Sequence, residues 1–248
     1  MINKPILICE KSLQIAWAKV INELQTKSWE AWNVVVQIED THLLDKNIDN
    51  VIAKFAKNNK IILPKHVAHT IFPQTFFING ITRENLYYKY WRFYNRPRKK
   101  LRTGWGTYFN HMIKYTAQNG DIDQLGSIID NINNRDKNYG ASYFMIIPRP
   151  DRDLNKIMGA PCLNYITIQT ENTTKNKKVI NLLAVYRNHD FTKRAYGNYL
   201  GLCHLLNYIA YETKSKPGVL TCISSHATVS DFKKELFAIT NSLLEVIP

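Results

Sequence analysis

The chain has 248 residues, 45% hydrophobic and 21% charged. That is enough apolar material to bury the core of one α/β or α+β domain, and it excludes a largely disordered chain. The formal charge of +13 points to anionic ligands, nucleotides or nucleic acid, because a positive surface potential concentrates anions whatever the fold. From Ser12, a candidate N-cap, the apolar residues Leu13, Ala16, Trp17, Val20 and Leu24 recur at three- and four-residue steps and predict an amphipathic helix. Val34 to Ile38 reads as a strand. Residues 61–91 are apolar and aromatic with Pro64 and Pro73 interrupting, which implies core without defining helix limits. The segment RFYNRPRKKLR that follows carries Arg92, Arg96, Arg98, Lys99, Lys100 and Arg102 around Pro97 and predicts an exposed loop.

Asp123 to Ile132 places Leu125, Ile128, Ile129 and Ile132 on one helical face. Three strands are expected at Tyr143–Pro148, Cys162–Thr170 and Val179–Tyr186, the last two joined as a hairpin through ENTTKNKK. A helical stripe of Tyr196, Tyr199, Leu200, Cys203, Leu206 and Ala210 follows. A strand at Val219–Ile223 then leads to a last helix from about Ser230, with Phe232, Leu236, Ile239 and Leu243 facing inward.

No apolar run approaches the ~18 residues of a membrane span, and MINKPILICEKSLQ lacks a signal-peptide pattern. No membrane association and a cytoplasmic location are therefore expected. Cys9, Cys162, Cys203 and Cys222 lack C-x-x-C spacing, so free thiols are expected, with no metal site and no disulfide framework.

Chemistry concentrates in two places. Cys162 ends the turn GAPC directly before a strand, where it is either a buried structural cysteine or a nucleophile whose thiol needs a nearby cation. Arg187, at the end of the partner strand, would provide that cation. Arg187, His189, Asp190 and Asn198 then cluster at a strand-to-helix junction, as capping residues or as the lining of a pocket.

Taken together, these residues resemble the thymidylate synthase superfamily. A Pro-Cys strand is followed by a strand ending in Arg-x-x-Asp and by a pocket Asn. Here Asp190 and Asn198 stand three and eleven residues after Arg187, as in the family. DLNKIMGAPC resembles the family's approach to its nucleophile, WGTYF at Trp105 its aromatic-Gly-x-x-aromatic segment, and His226 in ISSHA its ribose-binding His.

The resemblance is specific over 105–226, loose over 1–100, and strongest to divergent branches that include nucleotide hydroxymethylases. It implies an α/β (α+β) fold, a mixed sheet with a helical layer in a single domain over 1–248, and a homodimer joined through its sheets. It also implies C5 methylation or hydroxymethylation of a uridylate-type pyrimidine nucleotide with methylenetetrahydrofolate. Cys162 would then be the nucleophile, Arg187 a phosphate ligand and thiol activator, Asp190 an organiser of the pocket and Asn198 the base reader. His226, Asn188 and Trp105 would contact substrate, and Arg96 and Arg98 are further phosphate candidates.

The sequence departs from the family at Leu163, where a His follows the nucleophile, at Asn188 for Ser, and at Thr228 for Tyr. The family's arginine pair and its glutamate have no counterpart at the aligned positions around Tyr139–Tyr143 and Thr70–Phe76. Two other readings stay open: a catalytically reduced nucleotide or nucleic-acid binding protein, and a cytidylate hydroxymethylase.

Overall fold

The computed structural model describes residues 4–95, 105–134, 143–156, 158–172 and 178–246. The basic segment with Arg96, Arg98, Lys99, Lys100 and Arg102 lies outside the described residues. A mixed sheet runs through the molecule. It comprises β1 (Ile6–Glu10), β2 (Glu30–Ile38), β5 (Tyr143–Ile146), β6 (Leu163–Asn172), β7 (Lys178–Tyr186), β8 (His189–Asp190) and β9 (Lys216–Thr228), in the order β1-β2-β9-β7-β6-β5 with β8 beside β9. A small hairpin, β3 (Tyr115–Ala117) with β4 (Gly120–Ile122), stands apart.

The expected hairpin is present: β6 and β7 pair antiparallel from Leu163↔Tyr186 to Asn172↔Lys178. β9 lies parallel to β7 and antiparallel to β2. One edge of the sheet therefore collects the start of β6, the ends of β7 and β9, the start of β2 and all of β8. A register shift between Leu163 and Tyr165 puts a bulge directly after Cys162, a device that re-aims side chains at strand ends.

The helices are α1 (Leu13–Thr26), α2 (Lys46–Asn58), α3 (Pro64–Ile71), α4 (Arg83–Tyr94), α5 (Tyr108–Ile113), α6 (Gln124–Asn134), α7 (Pro150–Asp153), α8 (Ala195–Glu212) and α9 (Lys233–Val246), with a 3-10 turn at Gln74–Phe76. Ser12 caps α1 by accepting from Ile15 N at 3.2 Å, and Asp123 caps α6 by accepting from Gly126 N at 2.8 Å. Pro64 stands at the first position of α3, where its missing N–H leaves no intrahelical bond unmade.

α8 is the hub. Fourteen of its eighteen residues are buried, because it lies between the sheet and α3 and has no solvent face, which is why its apolar pattern runs all round. Gly197 and Gly201 allow that approach: a β-carbon on Gly197 would stand 2.7 Å from Pro64 O, and one on Gly201 2.8 Å from Ala68 O.

The aromatic run of α4 is mostly core rather than a stacking surface. Tyr90 is buried with its ring 4.8 Å from Phe109, and Tyr87, Trp91 and Tyr94 pack on the same cluster; Tyr88 points outward beneath Arg92. Phe232, expected inside, precedes α9 with φ of +53° and is exposed. No described helix is long and apolar enough to cross a membrane.

Candidate active site

The hairpin of β6 and β7 brings Cys162 and Arg187 together from positions 25 residues apart. Arg187 N donates to Cys162 O at 2.9 Å, Arg187 Nε to Pro161 O at 3.1 Å, and its terminal Nη2 to Ala160 O at 3.3 Å. The guanidinium is thus clamped on the GAPC turn, which Gly159 opens at φ +81°, and two of its five N–H donors are spent on carbonyls. The side chain is otherwise exposed.

The next two residues diverge. Asn188 turns outward, where its Oδ1 lies 2.7 Å from His226 Nδ1; His226 Nε2 lies 2.6 Å from Glu30 Oε1, and its ring rests 4.5 Å from the half-exposed Trp32. His189 turns inward and is fully buried. Its ring stacks on Tyr186 at 4.2 Å, with Nδ1 2.9 Å from Ser224 Oγ and Nε2 3.0 Å from Asn198 Nδ2. Asp190 has both carboxylate oxygens engaged: Oδ2 accepts from Ser230 Oγ in the segment after β9, and Oδ1 from Thr192 N and Lys193 N on its own turn. That turn launches α8, and Asn198, 4% exposed, sits in its first turn.

No family model matches the chain. Curated proteins do. A protein of Methanosarcina mazei is 31% identical over 113 residues, 46% of this chain and 48% of its own length. Relatives in Methanosarcina barkeri and Methanococcoides burtonii are 29% and 26% identical over 112 residues, 45% of this chain and 48% of theirs. Each carries the name "Putative thymidylate synthase". Over just under half of its length the chain is therefore similar to proteins named as putative thymidylate synthases. It spans about half the length of the curated relatives it matches.

Cys162 is half-buried, and burial pushes its thiol above the ordinary cysteine value. Arg187 and then Arg194 pull it back down, while Asp190 pushes it up. Desolvation therefore outweighs the lowering effect of the Arg187 charge. Cys203 and Cys222 are fully buried and raised beyond the reach of thiolate chemistry at neutral pH.

Arg194 and Tyr108 escaped the sequence reading. Arg194, exposed at the N-cap of α8, contributes a second positive charge near Cys162, and nothing in its local sequence separates it from the adjacent Lys193. Tyr108, at the start of α5, lays its hydroxyl against the Cys162–Leu163 backbone, and burial holds that phenol at about 12, fully protonated at neutral pH. Trp105, the expected aromatic, supports it from behind: the rings lie 4.8 Å apart and Trp105 O receives His111 Nε2 at 2.7 Å.

Glu30 is a third omission, a carboxylate 196 residues from His226 in sequence. The sheet thus brings Cys162, Arg187, Asn188, Asp190, Asn198 and His226 to one end of the molecule. Among the described residues, no group of His, Cys, Asp and Glu is arranged to hold a metal ion.

Proposed function

We propose that this chain transfers a one-carbon unit to C5 of a uridylate-type nucleotide, using Cys162 as nucleophile. The observation that carries the reading is the clamp of Arg187 on the GAPC turn, which ties a cation to a half-buried thiol at a sheet edge where the amide of Asn198 also lies. The thiolate adds to C6, the displaced electron pair makes C5 nucleophilic, and loss of the C5 proton followed by cleavage of the C6–Sγ bond restores the ring and the enzyme. Arg187 holds the phosphate with its free donors, His226 and Asn188 meet the sugar, and Asn198 pairs with N3 and O4 through a neutral amide.

Leu154 and Met158, eight and four residues before Cys162 in the chain, expose 78% and 86% of their surface, and Lys193 and Arg194 stand exposed before α8. Exposed apolar and cationic side chains of this kind are what a flat aromatic cofactor with an anionic tail requires. Methylenetetrahydrofolate, when bound, supplies the one-carbon unit and, for a methyl product, the hydride. The sheet face away from α1 and α8 remains open and apolar, with Leu7, Phe144, Ile146 and Tyr165 exposed and Val35, Val185 and Ile223 half-buried. A face of this kind supports pairing of two copies through their sheets.

The test is intact-mass analysis after incubation with a 5-fluoro-deoxyuridylate and methylenetetrahydrofolate, alongside exchange of the uridylate C5 hydrogen with solvent. The expected result is a ternary covalent adduct and measurable exchange, both abolished in Cys162→Ala. Exchange that persists in Cys162→Ala, or tight salt-dependent binding of a single-stranded 20-mer without any binding of uridylate, sinks the proposal.

A further inference from the structure

The buried histidine beside the base reader has no part in the chemistry above, and its surroundings give it a task. His189 is 1% exposed, lies parallel to Tyr186 with 4° between the ring planes, and meets the edge of Tyr199 at 5.5 Å. Its orientation is therefore set by packing on both sides. One ring nitrogen faces Ser224 Oγ, on β9, and the other faces the side-chain amide of Asn198, on α8. Burial holds the imidazole neutral, with its pKa lowered to about 3, so it carries one N–H and one lone pair.

These contacts admit one consistent assignment with Nδ2 of Asn198 toward the ring. Nδ1–H donates to Ser224 Oγ, and Nε2 accepts from Asn198 Nδ2–H. The amide then keeps its Oδ1 and its second N–H for a ligand, with no further partner for Oδ1 among the described residues. Turning the amide over would require the opposite tautomer.

The orientation matters because the two pyrimidine bases are mirror images along this edge. Uracil offers an acceptor at O4 beside a donor at N3. Cytosine offers a donor at N4 beside an acceptor at N3. A carboxamide free to flip by 180° satisfies both, whereas one held in a single orientation satisfies only one.

We infer that His189, braced by Ser224, locks the carboxamide of Asn198 in one orientation and so determines which pyrimidine base the site accepts. The inference rests on the reading of Asn198 as the base-facing residue. His189 is on this account a positioning residue that touches neither base nor thiol.

Two measurements on the full-length protein test it. Long-range proton–nitrogen spectra of the histidine rings read the tautomer directly, without any ligand. Competition between deoxyuridylate and deoxycytidylate reads base choice in the native protein, in Ser224→Ala and in His189→Gln. The native protein is expected to hold His189 as the single Nδ1–H tautomer and to prefer deoxyuridylate by roughly tenfold or more, the ratio that a mismatched buried hydrogen bond produces.

Ser224→Ala removes the brace with little change of volume, and His189→Gln replaces a rigid ring with an amide that can itself flip. In both, the preference should fall several-fold toward unity, chiefly through tighter deoxycytidylate binding, which loss of structure would not produce. An undiminished preference in a folded Ser224→Ala protein overturns the lock, as does an Nε2–H tautomer in the native protein. A native protein that shows the Nδ1–H tautomer but binds neither nucleotide instead overturns the base-facing reading on which the specificity claim stands.

Discussion

The crossing of α3 on α8 yields a stability prediction whose sign separates two effects. Gly201 lies within α8, three residues beyond Asn198, and a β-carbon there would stand 2.8 Å from Ala68 O, 2.9 Å from Ile71 Cβ and 3.0 Å from Ala68 Cα. Comfortable carbon contacts begin near ~3.5 Å, so Gly201→Ala must drive the helices apart by roughly 0.5 Å. None of the three atoms is the tip of a flexible side chain, so the strain cannot be relieved by a rotamer change. Overpacking of this kind costs about 1–3 kcal/mol, while Ala gains about 1 kcal/mol over Gly in a helix interior.

Because the clash involves backbone, a net loss of about 1–2 kcal/mol is expected, which for a chain of this size lowers Tm by roughly 2–8 °C. Urea unfolding followed by far-UV circular dichroism measures it, together with a thermal scan. Stabilisation, the result that helix propensity alone would produce, would refute the close approach of the two helices.

In a Cys9→Ser background, which removes the exposed thiol, alkylation of Cys162 should rise with pH through and beyond the ordinary cysteine range, and Arg194→Ala should move the profile further up; a profile below that range contradicts the balance of burial over charge. Acid should weaken the fold: His189 and His204 are held at about 3 and 4 in the native state, so the unfolded chain binds the extra protons as pH falls below 6.5. Each histidine then removes roughly 1.4 kcal/mol of stability per pH unit until its folded value is reached. Denaturation at a series of pH values should show a shallower slope in His189→Gln, and an unchanged slope argues against the buried neutral ring. Placing a lysine at Phe144 or Ile223 on the open sheet face should give monomers by sedimentation velocity; if the native protein already sediments as a monomer, pairing through that face is wrong.

Local chemistry made much of this molecule legible before any coordinates. The Ser12 cap and the 3.6-residue stripe define α1 because both act within a few residues of the chain, and alternation with a polar turn is sufficient for the hairpin of β6 and β7. The spacing of Arg187, Asp190 and Asn198 could be read for the same reason: one strand end, one turn and one helical turn connect them. Residues 61–91 resisted, since Pro64 and Pro73 divide them into the short α3, a 3-10 turn and α4, and α4 carries aromatic residues on its exposed face, as at Tyr88, as well as on the face that packs on the core.

What only the tertiary structure decided are the contacts between segments distant in sequence. Glu30 meets His226, Ser224 meets His189, Tyr108 meets the Cys162 backbone and α3 presses on the glycines of α8. Each joins segments separated by 35 to 196 residues. Their proximity depends on strand order and helix crossing, which no short window of sequence encodes. The state of the thiol belongs with them: Arg187 was visible in the chain, but how deeply Cys162 is buried, and therefore whether cation or desolvation prevails, follows from the packing of the whole fold.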